Sequence, residues 1–488
     1  MKKINIMLIG CGPHSQRIYY PIIESIKTKY GADIKVVVDL DTKEKNVTEY
    51  LDNKKYTPCS KVFLNSSFLK LRNGIESNFL PILDKEVEKL KINTVIIATE
   101  PIVHLNYAKW AIGKGLHVLM DKPVNTRENV STDIKQAKAL VSDFENLLSE
   151  YLIKKKEYKN IFHLLAQRRS HPAFKYIIDK INEVSKITNC PITSTQSFHS
   201  DGQWRLPSEI IDINYHPYNQ GYGKCSHSGY HTIDTISYIL EKTKVENKEI
   251  NNAEIYSKFL RPNDFLTQLN QRDYSKLFKG YKNFKKYSDK EFSEKTKKYG
   301  EIDAFVNVAF KKDDKVITLS SINMIHNSFS HRFLLDASNV DLYKGNGRIR
   351  HESHYITQGP FQAILFSSFQ SEEVDMKLRP KNEYDFGGEY HLDIHVFRNS
   401  SLFPKWKTLE KKSVRDLSER FVSGLSRGHQ EDARRICIID FFKAITNSNL
   451  KSDNDISKHC IGTKLLSAIY QSACNDFNEN NPIIKIKI

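Results

Sequence analysis

Residues 3–9, KINIMLI, form a short apolar run that passes directly into Gly10-Cys11-Gly12-Pro13-His14-Ser15 and then into the helix-compatible stretch 16–30. Few local patterns constrain a chain more, because strand, glycine turn and helix in that order define the first unit of a dinucleotide-binding βαβ fold. Gly10 allows the tight turn, Gly12 lets the backbone approach a pyrophosphate, and amides at the helix start offer donors to it. Ser15 stands at the third small position, where Gly or Ala is more usual. A second strand-like run, 33–38, ends at Asp39, whose carboxylate suits ribose hydroxyls and repels a 2′-phosphate. Asp41 competes for that role, and NAD is expected ahead of NADP.

The pattern then repeats. TVIIA at 94–98 reads as a buried strand, followed by TEPIVH, a helical run from His104, a stop at Gly113 and Gly115, and a strand at 116–120. Alternating strands and helices predict an α/β fold with a Rossmann-type, doubly wound parallel sheet. The later runs 303–310, 315–325, 332–337 and 390–397 have the period of two expected of half-buried antiparallel strands, and 428–448 and 459–476 read as helices. A chain of 488 residues exceeds one ordinary domain. The expected division is 1–168 and 169–488, with a Lys- and Tyr-rich insert at about 262–300 and further excess length near 40–90 and 140–160.

Composition excludes several classes. Hydrophobic content of 39% and 26 Phe with 24 Tyr supply enough core to argue against disorder. The net charge of +16 reads as a Lys-rich surface; without a zinc finger or an RNA-binding aromatic signature it predicts no specific nucleic-acid partner. Seven scattered cysteines without a CxxC pair predict reduced thiols and a cytoplasmic setting. No apolar run reaches membrane-spanning length, so no membrane partner is expected. The opening MKKINIMLIGC has the outline of a lipoprotein leader, but its apolar run is short and broken by Asn5, so it is read as a strand.

The stretch 223–234, GKCSHSGYHTID, concentrates Cys225, His227, His231 and Asp234. A structural zinc site wants a second ligand pair, and none is evident, so no metal is expected. Cys225 as a nucleophile lacks a supporting signature. His231 titrates near working pH, which suits a general acid or base, and Asp234 lies on the same face of a helix starting near His231. Ile233, Ile236, Ile239 and Leu240 give that helix an apolar face as well.

Taken in order, Gly10 to Ser15, Ala98-Thr99-Glu100-Pro101 with His104, residues 115–123 (GLHVLMDKP) and residues 223–234 resemble the glucose-fructose oxidoreductase, inositol dehydrogenase and MocA (Gfo/Idh/MocA) family. Weaker matches are Gln167-Arg168-Arg169 with Pro172-Ala173-Phe174, Trp204-Arg205 and residues 468–473. The resemblance implies a Rossmann domain followed by an α/β domain with a large open, mainly antiparallel sheet, one face of which often forms a dimer or tetramer interface. It implies an NAD(P)-dependent oxidoreductase moving a hydride between nicotinamide and a secondary alcohol of a sugar, cyclitol or sugar nucleotide. The cofactor residues it implies are Gly10, Gly12, Pro13, His14, Ser15, Asp39, Thr99, Glu100, His104, Asp121, Lys122 and Pro123. Lys122 and His231 would be catalytic with His227 assisting, and Arg169, Trp204, Tyr230 and Asp234 would bind substrate. The surrounding His199, Arg205, Tyr215, His216, Tyr218 and Lys224 fit a polyhydroxylated substrate, neutral or anionic. Two departures stand out: Asp121 replaces the more frequent Glu, and His227 stands where Asp or Asn is common. The same fold also admits a non-catalytic dinucleotide-binding regulator or an NAD-assisted glycoside-cleaving enzyme.

Overall fold

The computed structural model describes residues 3–66, 79–213, 215–243, 245–332, 347–372, 381–382, 384–417, 428–447 and 449–488. Part of the predicted strand 332–337 and of the excess length at 40–90 lies outside the described residues. Two compact units emerge, one of residues 1–126, 141–171 and 430–460, the other of 127–140, 172–429 and 461–488. The expectation of two contiguous domains meeting at 168/169 does not anticipate the return of 430–460 to the first unit. That return has a physical reason: Cys437, Ile438, Phe441 and Phe442 complete the core around Ile4, Ile6, Leu8, Tyr19, Ile22 and Ile26.

The first unit is built on β1 (Ile4–Ile9), β2 (Ala32–Leu40), β3 (Ser60–Leu64), β4 (Thr94–Ile97), β5 (His117–Met120) and β6 (Phe162–Leu164). They form one parallel sheet in the order β3-β2-β1-β4-β5-β6, the doubly wound arrangement that the alternating sequence predicts. β4 and β5 are buried along nearly their whole length, which is why they read as continuous apolar runs. The strand order reverses at β1 and β4, and ligands of such sheets bind at the carboxyl ends beside that reversal.

The second unit carries β7 (Ser194–Gln203), β8 (Asn252–Leu260), β9 (Asp303–Lys312), β10 (Lys315–Asn327), β11 (Arg348–Gln358), β12 (Gln362–Glu372), β13 (Leu392–Arg398), β14 (Leu409–Ser413) and β15 (Ile484–Lys487). Their order is β14-β13-β12-β11-β7-β10-β9-β8-β15, antiparallel throughout except for the β7–β10 pair. One face is covered by the helices Pro172–Thr188 and Tyr230–Lys242, which set Phe174, Ile177, Ile181 and Ile239 against Ile356, Ile364, Phe366 and Ile394. The opposite face leaves Phe305, Leu319, Tyr355 and Phe397 exposed. Three short helices, Pro262–Gln268, Gln271–Leu277 and Asp289–Thr296, make up the Lys- and Tyr-rich insert; Phe265, Tyr274, Tyr281 and Phe292 bury it against Leu206, Ile210 and Tyr218.

Candidate functional site

In the first unit the chain leaves β1 at Ile9 and turns at Gly10 with φ of 91°, in the left-handed region. A Cβ there would stand 2.4 Å from the Ala98 carbonyl oxygen, so only glycine lets the end of β1 lie against the end of β4. At Gly12 a Cβ would meet no atom of the chain within 4 Å, so the backbone faces open space where a pyrophosphate can approach. Pro13 then opens the short helix Pro13–Arg17. Ser15 does more than stay small: its hydroxyl donates to the Gly10 carbonyl at 2.5 Å and closes the turn on itself.

Asp39, near the end of β2, accepts hydrogen bonds from the Cys11 amide at 2.7 Å and from the Leu40 amide at 2.8 Å, one on each oxygen. Each oxygen retains a second lone pair, the acceptor capacity a ribose requires. Burial pushes the Asp39 carboxyl up, and the two amides oppose that shift. Asp41, the competitor, accepts from the Thr42 and Ser66 amides and opens the 3-10 helix Asp41–Lys43 that follows β2.

His104 is fully buried, with Nδ1 2.8 Å from the Pro123 carbonyl and Nε2 3.0 Å from the Thr99 carbonyl. Burial lowers its pKa. The ring lies between the two carbonyls, and a neutral imidazole, with one N–H, donates to only one of them, tying its helix either to the loop after β4 or to the loop after β5. The peptide Lys122–Pro123 is cis. Asp121 is reached by the Tyr19 hydroxyl at 3.2 Å, and His14 Nε2 lies 3.6 Å from its other oxygen. Burial raises the Asp121 carboxyl against the opposing charges of Lys122, His104 and Arg434. Arg434 sits on the returning helix, more than three hundred residues away in sequence, and no local signal points to it. Thr99 and Glu100 follow β4 directly. Arg169 is 1% exposed and donates to the Asp453 carbonyl at 3.1 Å, which ties it to the segment before the last helix of this unit.

In the second unit residues 224–229 form a run of turns, and the helix Tyr230–Lys242 begins one residue before His231, close to the expected start. His227 is buried among rings: His216 at 4.5 Å between centroids, Tyr222 at 5.3 Å and Tyr218 at 6.3 Å. His231 retains 7% exposure. Tyr230 and Asp234 are buried and border Gly462, where an added Cβ would come within 3.3 Å of the Tyr230 hydroxyl and 3.5 Å of an Asp234 oxygen. Both therefore pack against the helix Cys460–Phe477 within their own unit. Trp204 donates from its indole nitrogen to the Tyr274 hydroxyl at 3.2 Å and lies against Phe278, so the insert occupies the ring that the sequence offers to a sugar. Cys225 is fully buried; burial and the neighbouring Glu301 push its thiol far up, which removes it as a nucleophile. The sequence reading missed Asp201, Glu301, His326 and Arg348, which the sheet brings to this segment from separate strands and loops.

A glycine cradle at the switch point of a doubly wound sheet, with an acid near the end of β2, is the arrangement with which such sheets hold a dinucleotide. Residues 4–150 match the Gfo/Idh/MocA family model, described as an oxidoreductase family with an NAD-binding Rossmann fold. Over that stretch the chain is similar to the NAD-binding Gfo/Idh/MocA oxidoreductases. Solved structures share the fold over the full length of this chain. An oxidoreductase from Agrobacterium radiobacter, in complex with NAD+, L-tartaric acid and magnesium, is 12% identical with a TM-score of 0.53 over 100% of this chain and 98% of that one. The WlbA dehydrogenase from Bordetella pertussis, with NADH and UDP-GlcNAcA, is 12% identical with a TM-score of 0.55 over 100% and 98%. An aldose-aldose oxidoreductase from Caulobacter crescentus, complexed with glycerol, is 9% identical with a TM-score of 0.55 over 100% of both chains. At such identities the likeness is one of fold. No curated protein matches the sequence. Among the described residues no helix is long and apolar enough to cross a membrane.

Proposed function

We propose that this protein is an NAD-dependent oxidoreductase that moves a hydride between nicotinamide and a secondary alcohol of a sugar, cyclitol or sugar nucleotide. The observation that carries the reading is the cradle of the first unit: an open backbone at Gly12, a turn that only Gly10 fits, and the Asp39 carboxylate joined to the same turn through the Cys11 amide. Gly10, Gly12, Pro13, His14, Ser15 and Asp39 would hold the dinucleotide, with Thr99, Glu100, Asp121 and Pro123 shaping the neighbouring loops. A carboxylate at residue 39 repels a 2′-phosphate, which favours NAD over NADP. Bound nicotinamide supplies the hydride acceptor in oxidation and the donor in reduction.

The chain supplies the proton chemistry. Lys122 is assigned the hydrogen bond that holds the reacting oxygen as it passes between hydroxyl and carbonyl. His231 is assigned the proton, taken from the hydroxyl in oxidation and returned in reduction, with His227 assisting. The sugar-related ligands of the Bordetella and Caulobacter proteins support a polyhydroxylated substrate. The exposed Phe305, Leu319, Tyr355 and Phe397 on the open sheet face support self-association into a dimer or tetramer. Scattered free cysteines support a cytoplasmic setting.

The test is a screen for NAD reduction, and NADH oxidation, over sugars, cyclitols, uronates and nucleotide sugars. Turnover of at least one class is expected, with Lys122→Ala lowering kcat about 10²- to 10⁴-fold while NAD(H) affinity by calorimetry changes little. A Lys122→Ala protein with full turnover would remove the central residue. Absence of NAD(H) binding overturns the reading, whereas binding without turnover favours the regulator. Cleavage of a glycoside without net NADH favours the transient-oxidation reading.

A further inference from the structure

We infer that Lys224, clipped with Ser228 to the carboxylate of Asp201 inside the sheet unit, is a positioning residue for the histidine segment 223–231. The inference rests on the assignment of His227 and His231 proposed above.

Lys224 has no solvent exposure, unusual for a lysine in an enzyme surface loop or anywhere else. Its ammonium has three donors, and three acceptors stand around it: Asp201 Oδ2 at 2.6 Å, His199 Nδ1 at 2.9 Å and Ser228 Oγ at 3.0 Å. Ser228 donates to the same Asp201 oxygen at 2.6 Å. Arg348, at the start of β11, donates from Nε to the Asp201 carbonyl at 2.8 Å and from a terminal nitrogen to Oδ1 at 3.1 Å. Asp201 thus lies between two cations on β7, the central strand of the sheet. Burial works to raise its carboxyl, but Lys224, His199, His326 and Arg348 together hold it well below the usual carboxylate range.

The geometry of the turn makes this more than a buried ion pair. Residues 224 and 228 flank His227, and both reach one carboxylate oxygen, so the turn carrying His227 is closed from outside by Asp201. Its own backbone bonds are local: the His227 amide to the Gly223 carbonyl, the Gly229 amide to the Lys224 carbonyl and the His231 amide to the Ser228 carbonyl. A second tie fixes the near end, where the Lys224 and Cys225 amides donate to the Glu301 carbonyl and carboxylate. Lys224 and Ser228 therefore set the height of the turn over the sheet, and with it the His227 ring and the first turn of the His231 helix. A buried ion pair adds little stability over a well-packed apolar pair, but it accepts one geometry only.

The experiment uses the full chain with ring-13C histidine. Lys224→Met is expected to move the NMR signals and titration midpoints of His227 and His231, while His104 and His163 of the first unit stay in place; His→Gln variants assign each signal. If only the directly contacting His199 moves, the positioning role is overturned. Ser228→Ala, a milder change for the case in which Lys224→Met does not fold, carries the same readout, and Ser228→Thr is expected to restore the wild-type signals. With a substrate from the screen above, kcat should fall at least tenfold in Lys224→Met, with KM and the NAD(H) dissociation constant within threefold of wild type. A kcat within twofold of wild type also overturns the role. Failure of wild-type NAD(H) binding would sink the functional reading alone, because the histidine signals still decide whether Lys224 positions the segment.

Discussion

The two units handle polarity in opposite ways. Around Gly10 in the first unit the ligand-facing surface is main chain: a left-handed glycine, an open Gly12 and a carboxylate held by two backbone amides. Around Lys224 in the second unit the polar surface is made of side chains, with Asp201, Lys224, Ser228, His199 and Arg348 satisfying one another. A main-chain site needs small residues at set spacing, which a sequence displays. A side-chain cluster needs only that separate strands arrive side by side, which a sequence hides.

Gly10→Ala attacks the first half of that contrast and should have the largest effect. Left-handed backbone costs about 1–2 kcal/mol for a residue with a Cβ, and the overlap with the Ala98 carbonyl adds about 1–3 kcal/mol. NAD(H) binding by calorimetry should vanish and the thermal midpoint should fall; a variant that binds normally would mean that the turn is not the cradle.

Asp303→Asn probes the second half. Burial raises the Asp303 carboxyl to about 6, above the ordinary aspartate range, with the His326 amide and the Lys224 charge opposing the shift. A raised carboxyl binds its proton more tightly in the folded state. Its contribution is therefore complete below pH of about 4 and disappears as pH rises through about 6. Between pH 4 and 7 the wild type should lose about 2–3 kcal/mol relative to Asp303→Asn, read by urea denaturation at each pH. Parallel profiles would show that the side-chain cluster does not carry this strain.

Gly12→Ala has the smallest expected effect and the sharpest meaning. With no atom of the chain within 4 Å of the new methyl, stability should change by less than about 0.5 kcal/mol. NAD(H) affinity should nevertheless fall about tenfold, or about 1.4 kcal/mol, because the methyl occupies space left for the pyrophosphate. An unchanged affinity would move the cofactor away from the turn.

Individual residues show where sequence reading succeeds and stops. His104, Asp121 and Pro123 could be found as a group because they follow successive strands of one repeated pattern, His104 at the start of the helix after β4 and the other two just after β5, although the placing of the His104 ring between two carbonyls could not. Trp204, Tyr230, Asp234 and Arg169 have the chemistry of sugar or anion ligands, yet each is engaged in packing or bracing. Residue type states what a side chain can do; burial decides which of its partners it meets.

By itself the sequence determined the doubly wound parallel sheet, the glycine turn and the acid near the end of β2, because strand periodicity and backbone conformation are local properties of the chain. It also determined the helix beginning near His231. Only the tertiary structure decided that 430–460 returns to the first core, that the insert covers Trp204, and that Asp201 meets Lys224 and Arg348. Those outcomes depend on which elements become neighbours, and a buried charge chooses its partner from whatever neighbour the fold delivers.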